Sequence, residues 1–235
     1  MRDWTVVFDL DGTLVDTAPD LAASTNHVLS QLGLEPVGEA DIRPSVGHGA
    51  LVMIERAAAS RGRTFTQDEL YRQFDVFIAY YTANISSSSK PYDGAIAALR
   101  HLSAEGVKLA VCTNKIEAHA RTLLSELGML RYFSALTGRD SLAVFKPNPG
   151  HLTGTIALAS GTAHKSIMVG DSETDIKTAQ AAGIPVVAVD FGYSVEPVAS
   201  FGPTLVISHY RELVQSIERL TACTPRALSD RIEPF

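Results

Sequence analysis

The sequence predicts an α/β fold: a doubly wound parallel sheet with an all-helical segment inserted after its first strand. Three patterns carry that expectation. From Tyr92 onward, short continuous apolar runs alternate with helical segments, and strands that are apolar on both sides belong in a parallel sheet covered by helices. Several of the intervening segments end in glycine, at Gly106, Gly128, Gly161 and Gly183, where helices commonly stop. Between residues 16 and 91, by contrast, apolar residues recur at helical spacing and no convincing strand intervenes.

Residues 4–9 are a short valine-containing run ending abruptly in carboxylates, which reads as a buried strand. Leu21, Thr25, Val28 and Leu32 then follow Pro19 at helical period, and Gly33 closes the segment. Leu51, Ile54 and Ala58 predict a second helix ending near Gly62. Thr66 and Glu69 stand at capping-box spacing and open a third, with Leu70, Phe74, Phe77 and Tyr81 on one face. The serine run within residues 85–91 reads as a linker or hinge. Strands are expected at 107–112, 166–169, 186–189 and 205–207, with a weaker one at 135–137. The expected organisation is a Rossmann-like core of residues 1–15 and 92–221, a helical cap of residues 16–91, and a surface tail of residues 222–235.

Composition narrows the class. The chain has 235 residues, of which 46% are hydrophobic and 20% charged, as in a folded protein with a substantial core. A net charge of −6 without a basic tract argues against nucleic acid or an anionic membrane as partner. No apolar segment approaches the length of a membrane span, and the opening Met-Arg-Asp-Trp lacks the apolar stretch of an export signal. A cytoplasmic protein, monomer or homodimer, is expected. Cys112 lies in an apolar run, so it and Cys223 read as reduced thiols.

In an open α/β sheet the ligand sits at the carboxyl ends of the strands, so the residues just past each apolar run matter most. There the chain carries Asp9-Leu10-Asp11-Gly12-Thr13, then Thr113-Asn114, then Lys146-Pro147, then Gly170-Asp171-Ser172-Glu173-Thr174-Asp175. Asp9 and Asp11, two apart, point to one side in an extended segment. With Asp171 they place three carboxylates together, which repel unless a cation sits among them. Oxygen ligands without His or Cys suit Mg²⁺. Thr113, Lys146 and the backbone N–H groups of residues 11–13 and Asn114 would face an anion. A metal and fixed positive groups around one anion are what phosphoryl transfer requires.

Four ordered segments, Phe8-Asp-Leu-Asp-Gly-Thr-Leu-Val-Asp-Thr17, Cys112-Thr-Asn-Lys115, Phe145-Lys-Pro147 and Val169-Gly-Asp-Ser-Glu-Thr-Asp175, resemble the motifs of the haloacid dehalogenase superfamily of phosphatases. The resemblance implies that Asp9 is a nucleophile forming an aspartyl-phosphate and that Asp11 protonates the leaving alcohol, then activates water. It implies that Thr113 and Lys146 hold the phosphoryl group, with Gly12, Thr13 and Asn114 beside them. Asp9, the backbone carbonyl of Asp11, and Asp171 would ligate Mg²⁺, with Asp175 behind them orienting Lys146 or the metal's water. The helical insert would be a small mobile cap.

Asp16-Thr-Ala-Pro-Asp-Leu-Ala22, Arg43 with Val46-Gly47, Ala181-Ala-Gly-Ile-Pro185 and Gly192-Tyr193 resemble the phosphoglycolate phosphatase branch, so a small phosphorylated metabolite is the expected partner. Arg43, ahead of the Gly47-His48-Gly49 turn, could pair with the carboxylate of 2-phosphoglycolate. A phosphosugar phosphatase, a pyrophosphatase and a phosphomutase share the pattern. Carbon–halogen hydrolysis fits less well, because it needs neither the metal nor the second aspartate. A non-catalytic binding role fits poorly, because the nucleophile and the metal acids are all present.

Overall fold

The computed structural model describes residues 1–223; the expected tail lies outside the described residues from 224 onward. In chain order the strands are β1 (Thr5–Phe8), β2 (Val15–Asp16), β3 (Lys90–Pro91), β4 (Lys108–Cys112), β5 (Ala135–Thr137), β6 (Ser166–Gly170), β7 (Val186–Val189) and β8 (Leu205–Ile207). Six form one sheet in the order β5-β4-β1-β6-β7-β8, with every pair parallel. The chain winds outward from β1 through β4 to β5, then crosses back to β6 and winds the other way. The reversal at β1 opens a crevice at the carboxyl ends of β4, β1 and β6. The strands expected at 135–137, 186–189 and 205–207 coincide with β5, β7 and β8 residue for residue.

The helices are α1 (Ala18–Gln31), α2 (Glu39–Ile42), α3 (Ala50–Ala59), α4 (Gln67–Ala83), α5 (Ala95–Ala104), α6 (Glu117–Glu126), α7 (Pro149–Leu158), α8 (Glu173–Ala181) and α9 (Leu213–Cys223). Successive strand residues face opposite layers. Val6, Phe8, Leu109, Val111, Ile167 and Val169 join Leu99 and Leu102 of α5 and Leu213 and Ile217 of α9 in one apolar cluster. Val7, Ala110, Cys112 and Met168 join Leu152 and Ile156 of α7 and Ile176 and Ala179 of α8 in the other. Both faces are therefore covered, which is why these strands read as unbroken apolar runs. No described helix is long and apolar enough to cross a membrane.

Helices α1–α4 lie between β2 and β3, and α1 and α3 both pack on α4. The capping box opening α4 is formed: Thr66 Oγ1 accepts from Glu69 N (3.3 Å), and Glu69 Oε2 accepts from Thr66 N (2.8 Å). Leu70, Phe77 and Tyr81 are buried and Phe74 is half-buried.

Three features of this region differ from the expectation. Val15 and Asp16 pair antiparallel with Pro91 and Lys90, a two-residue ribbon too short to show a period. Glu39–Ile42 and a 3₁₀ turn over Arg43–Ser45 fill what reads as a loop, for the same reason. The serine run is not slack. The Asp20 carboxylate, buried in α1, accepts from Ser88 N (2.9 Å), Ser89 N (2.8 Å) and Ser89 Oγ (2.7 Å). Composition marks a serine run as a linker but says nothing of a carboxylate 68 residues earlier. Asp20→Ala leaves these donors without their acceptor, and a loss of about 2 kcal/mol is expected in urea unfolding. A midpoint shift worth less than about 0.5 kcal/mol, the scale of a neutral surface change, would show that the staple contributes nothing.

Candidate active site

Asp9, Thr113 and Asp171 each stand one residue past the end of β1, β4 and β6. These three strands are neighbours, so the sheet itself gathers the three side chains. Carboxylate oxygens of Asp9, Asp171 and Asp175 lie within 4.8 Å of one another. Lys146 inserts among them, fully buried, with Nζ 2.8 Å from Asp9 Oδ1 and 2.7 Å from Asp175 Oδ1. Its backbone is held on both sides: the carbonyl accepts from Asn114 Nδ2 (3.0 Å), and the N–H donates to His151 Nδ1 (3.2 Å). Asp175 Oδ2 accepts from Ser172 Oγ (2.6 Å) and Ser172 N (3.2 Å) in the capping box that starts α8.

Asp171 is fixed from two sides. Its Oδ1 accepts from Thr13 Oγ1 (2.8 Å) and its Oδ2 from Tyr193 N (2.8 Å). A Cβ on Gly192 would lie 2.4 Å from Asp171 Oδ2, and one on Gly12 would lie 2.5 Å from it. These two glycines let the backbone close around the carboxylate, and Gly12 also has φ +81°.

The Asp11 side chain takes a different direction from Asp9. Its Oδ1 accepts from Thr17 Oγ1 (2.7 Å) and from Lys115 Nζ (2.8 Å), and Asp11 lines the same cavity as Asp9. Lys115 sits under the Tyr81 ring of α4, 4.9 Å from its centroid. Burial works against the Lys115 charge, but Asp11 and Tyr81 outweigh it and hold the ammonium above its ordinary range. Lys115 belongs to the Cys112-Thr-Asn-Lys115 motif, and the cation one residue past Thr113-Asn114 is the signal in the sequence that marks it.

The backbone expectation for Gly12 and Thr13 is corrected. Gly12 N donates to Val15 O (3.0 Å) and Thr13 N to Leu10 O (3.4 Å). The loop after β1 turns back tightly on itself and uses these groups internally. Thr13 contributes through its hydroxyl on Asp171 instead. Thr113 is buried and its Oγ1 accepts from Lys115 N (3.1 Å), which leaves the hydroxyl proton available to an anion.

Two cavities meet at this rim. One, about 230 Å³, is lined by Asp9, Asp11, Thr113, Asp171, His48 and Tyr193, among others. A larger one, about 540 Å³, lies between α3, α4 and the core, reaches Asp11 and Lys115, and is mostly apolar. Arg43 is not brought to either. Its guanidinium bonds Asp16 Oδ2 (2.8 Å) and Glu39 Oε1 (2.6 Å), partners that only the folded insert supplies. His48 lines both cavities from an exposed position. Phe74, Phe77 and Tyr81 both pack and line the larger one, and Tyr71 lines it from an exposed position.

The carboxylates fit a divalent cation. Burial first, and then the charge of Asp175, raises the pKa of both Asp9 and Asp171, against the pull of Lys146 on Asp9. A site that disfavours its own charges, offers only oxygen atoms, and holds one carboxylate in a two-glycine cradle suits a hard cation. Gly192→Ala forces Asp171 out of that cradle, and an order of ten- to hundredfold loss in metal affinity is expected. Titration calorimetry with Mg²⁺ checks it; unchanged affinity would show that Asp171 is not a ligand.

A sheet reversing at its first strand, with an aspartate at that strand's end and acids facing it, defines a class. The haloacid dehalogenase-like hydrolase family model matches residues 6–189, and the chain belongs to that family. It resembles the crystal structure of a predicted phosphoglycolate phosphatase from Haemophilus somnus, with a TM-score of 0.86 at 31% identity, covering 92% of this chain and 98% of that one. It is 53% identical to the phosphoglycolate phosphatase of Mesorhizobium japonicum over 216 residues, 92% of this chain and 95% of the relative. It is 44% identical to that of Agrobacterium fabrum over 211 residues, 90% and 91% of the two. Within its family the chain is a phosphatase.

Proposed function

We propose that the chain is a Mg²⁺-dependent phosphomonoester hydrolase working through an aspartyl-phosphate on Asp9, and that its substrate is 2-phosphoglycolate. The observation that carries the reading is the meeting of Asp9, Asp171 and Asp175 within 4.8 Å around a buried Lys146. A carboxylate beside a fixed cation is a nucleophile in a place where an anion is welcome. An Asp9 oxygen attacks phosphorus, the phosphorus–oxygen bond to the alcohol breaks, and Asp11 gives the departing oxygen its proton. Water then attacks the same phosphorus, Asp11 takes the water's proton, and the bond to Asp9 breaks to free phosphate. Lys146 and the Thr113 hydroxyl hold the phosphoryl oxygens, and Asp175 and His151 hold Lys146. Mg²⁺, when bound by Asp9, Asp171 and the Asp11 carbonyl, supplies the positive charge that offsets the transferring group.

The names of the relatives support phosphoglycolate, and the cavity over Asp9 suits a small metabolite. With Arg43 engaged elsewhere, the cation for the glycolate carboxylate is Arg139. It lines the larger cavity, stacks on Phe145 at 4.4 Å and has no carboxylate partner among the described residues. A panel of phosphomonoesters and pyrophosphate, ranked by kcat/KM with Mg²⁺, tests the substrate. Arg139→Ala is expected to raise KM for 2-phosphoglycolate about tenfold or more, the scale of a lost charged hydrogen bond, and to leave a nitrophenyl phosphate within twofold. Equal losses on both substrates would remove Arg139 from specificity.

A further inference from the structure

Tyr193 touches four parts of the molecule at once. Its backbone N–H donates to Asp171 Oδ2 (2.8 Å). Its buried ring carries a hydroxyl that accepts from Thr17 N (2.6 Å) and Ala18 N (3.0 Å), where α1 begins, and donates to Asp16 Oδ1 (2.7 Å) in β2. The other oxygen of Asp16 takes Arg43 Nη2 (2.8 Å), and the Arg43 guanidinium lies over the Tyr193 ring at 5.3 Å from its centroid. One residue thus joins a carboxylate of the sheet, the ribbon strand, the first helix of the insert and the turn that lines the smaller cavity through Pro44, Val46 and His48. The hydroxyl has two donors and one acceptor, its full complement, so no vacancy is left for water to take over the link.

We infer that Tyr193 is a positioning residue coupling the Asp171 carboxylate to the seat of the helical insert, so that Mg²⁺ binding and the observed placement of the insert stabilise each other. The inference rests on the reading of Asp171 as a Mg²⁺ ligand. The physical ground is shared constraint. Asp171 cannot shift without moving residues 192–193, because Gly192 is packed against it. Tyr193 cannot shift without breaking three hydrogen bonds at the ribbon and the start of α1. Coupling between two sites is reciprocal: whatever the insert's seating does for Mg²⁺ affinity, Mg²⁺ does for the seating.

Tyr193→Phe tests this, because it removes the hydroxyl and keeps both the ring and the N–H on Asp171. Two quantities are read: the Mg²⁺ dissociation constant by calorimetry, and hydrogen exchange of the Thr17 and Ala18 amides with and without Mg²⁺. In the unaltered protein Mg²⁺ is expected to slow exchange at both amides. In Tyr193→Phe that slowing is lost and Mg²⁺ binds at least about fivefold more weakly, the lower end of ordinary couplings. Arg43→Met leaves the hydroxyl's own bonds in place, and it is expected to weaken Mg²⁺ in the same direction although Arg43 lies outside the carboxylate cluster. A hydroxyl with a merely structural role lowers the melting temperature and leaves the dissociation constant unchanged in both variants, which overturns the inference. Should Tyr193→Phe not fold, an unchanged constant in Arg43→Met overturns it alone. Failure of the unaltered protein to bind Mg²⁺ at all overturns the metal reading first, a different and recognisable result.

Discussion

Asp9→Asn is expected to fold normally and to lose turnover by a factor on the order of 10⁴ or more, as removal of a covalent nucleophile does. The amide has the shape of the carboxylate, and Lys146 keeps Asp175 at 2.7 Å, so the surroundings have no reason to rearrange. The metal-free variant is also expected to melt at the same temperature or higher. Burial, with Asp175 adding to it, raises the Asp9 carboxyl, which means that the charged form is disfavoured where it stands; replacing it with a neutral group relieves that repulsion. Steady-state kinetics and a melting curve read both effects. Residual activity above a few per cent, with mass spectrometry showing no reversion by deamidation, would remove Asp9 from the role.

Stripping divalent cations is the second change expected to have a large effect. Activity should fall on the order of a thousandfold, since the cation's share of charge stabilisation is several kcal/mol, and Mg²⁺ should restore it. The melting temperature should rise with Mg²⁺ concentration, because an ion that binds only the folded chain stabilises it by mass action. Asp171→Ala should show neither the activity nor the rise. Full activity after exhaustive chelation would overturn the Mg²⁺-dependent mechanism.

The sheet was legible in the sequence because its central strands are buried on both faces and end in polar residues, so Val186–Val189 stands out even at four residues, and the edge strand Leu205–Ile207, buried only at Ile207, is marked by its apolar run alone. The convergence of Asp9, Thr113 and Asp171 was legible for a related reason: strand ends on one rim are neighbours whatever the connecting helices do. What one side chain holds another with was not. Arg43 reads as a free cation ahead of a glycine turn until the chain folds Asp16 and Glu39 against it. Lys115 reads as a loop lysine until Asp11, 104 residues earlier, lies against it. Gly192 reads as half of a Gly-Tyr pair, and only the approach of Asp171 shows why a side chain has no room there. Pairings of this kind depend on the path of the backbone between distant segments, and local pattern carries no record of it.

The ribbon of β2 and β3 has a consequence for how such a molecule can be altered. Asp16 and Lys90 are direct partners across it, so the chain departs from the sheet and returns to it at almost the same point. Seen from the sheet, everything from Thr17 to Ser89 is a single loop with adjoining ends, and a two-residue turn could close the same gap as an ordinary hairpin. Insertions, deletions or exchange of those helices leave the strand order of the sheet untouched by geometry. The covalent joint between the sheet and these helices is therefore two residues wide on each side, and any exchange would have to rebuild the side-chain joints of Tyr193 with Thr17 and Ala18 and of Lys115 with Tyr81.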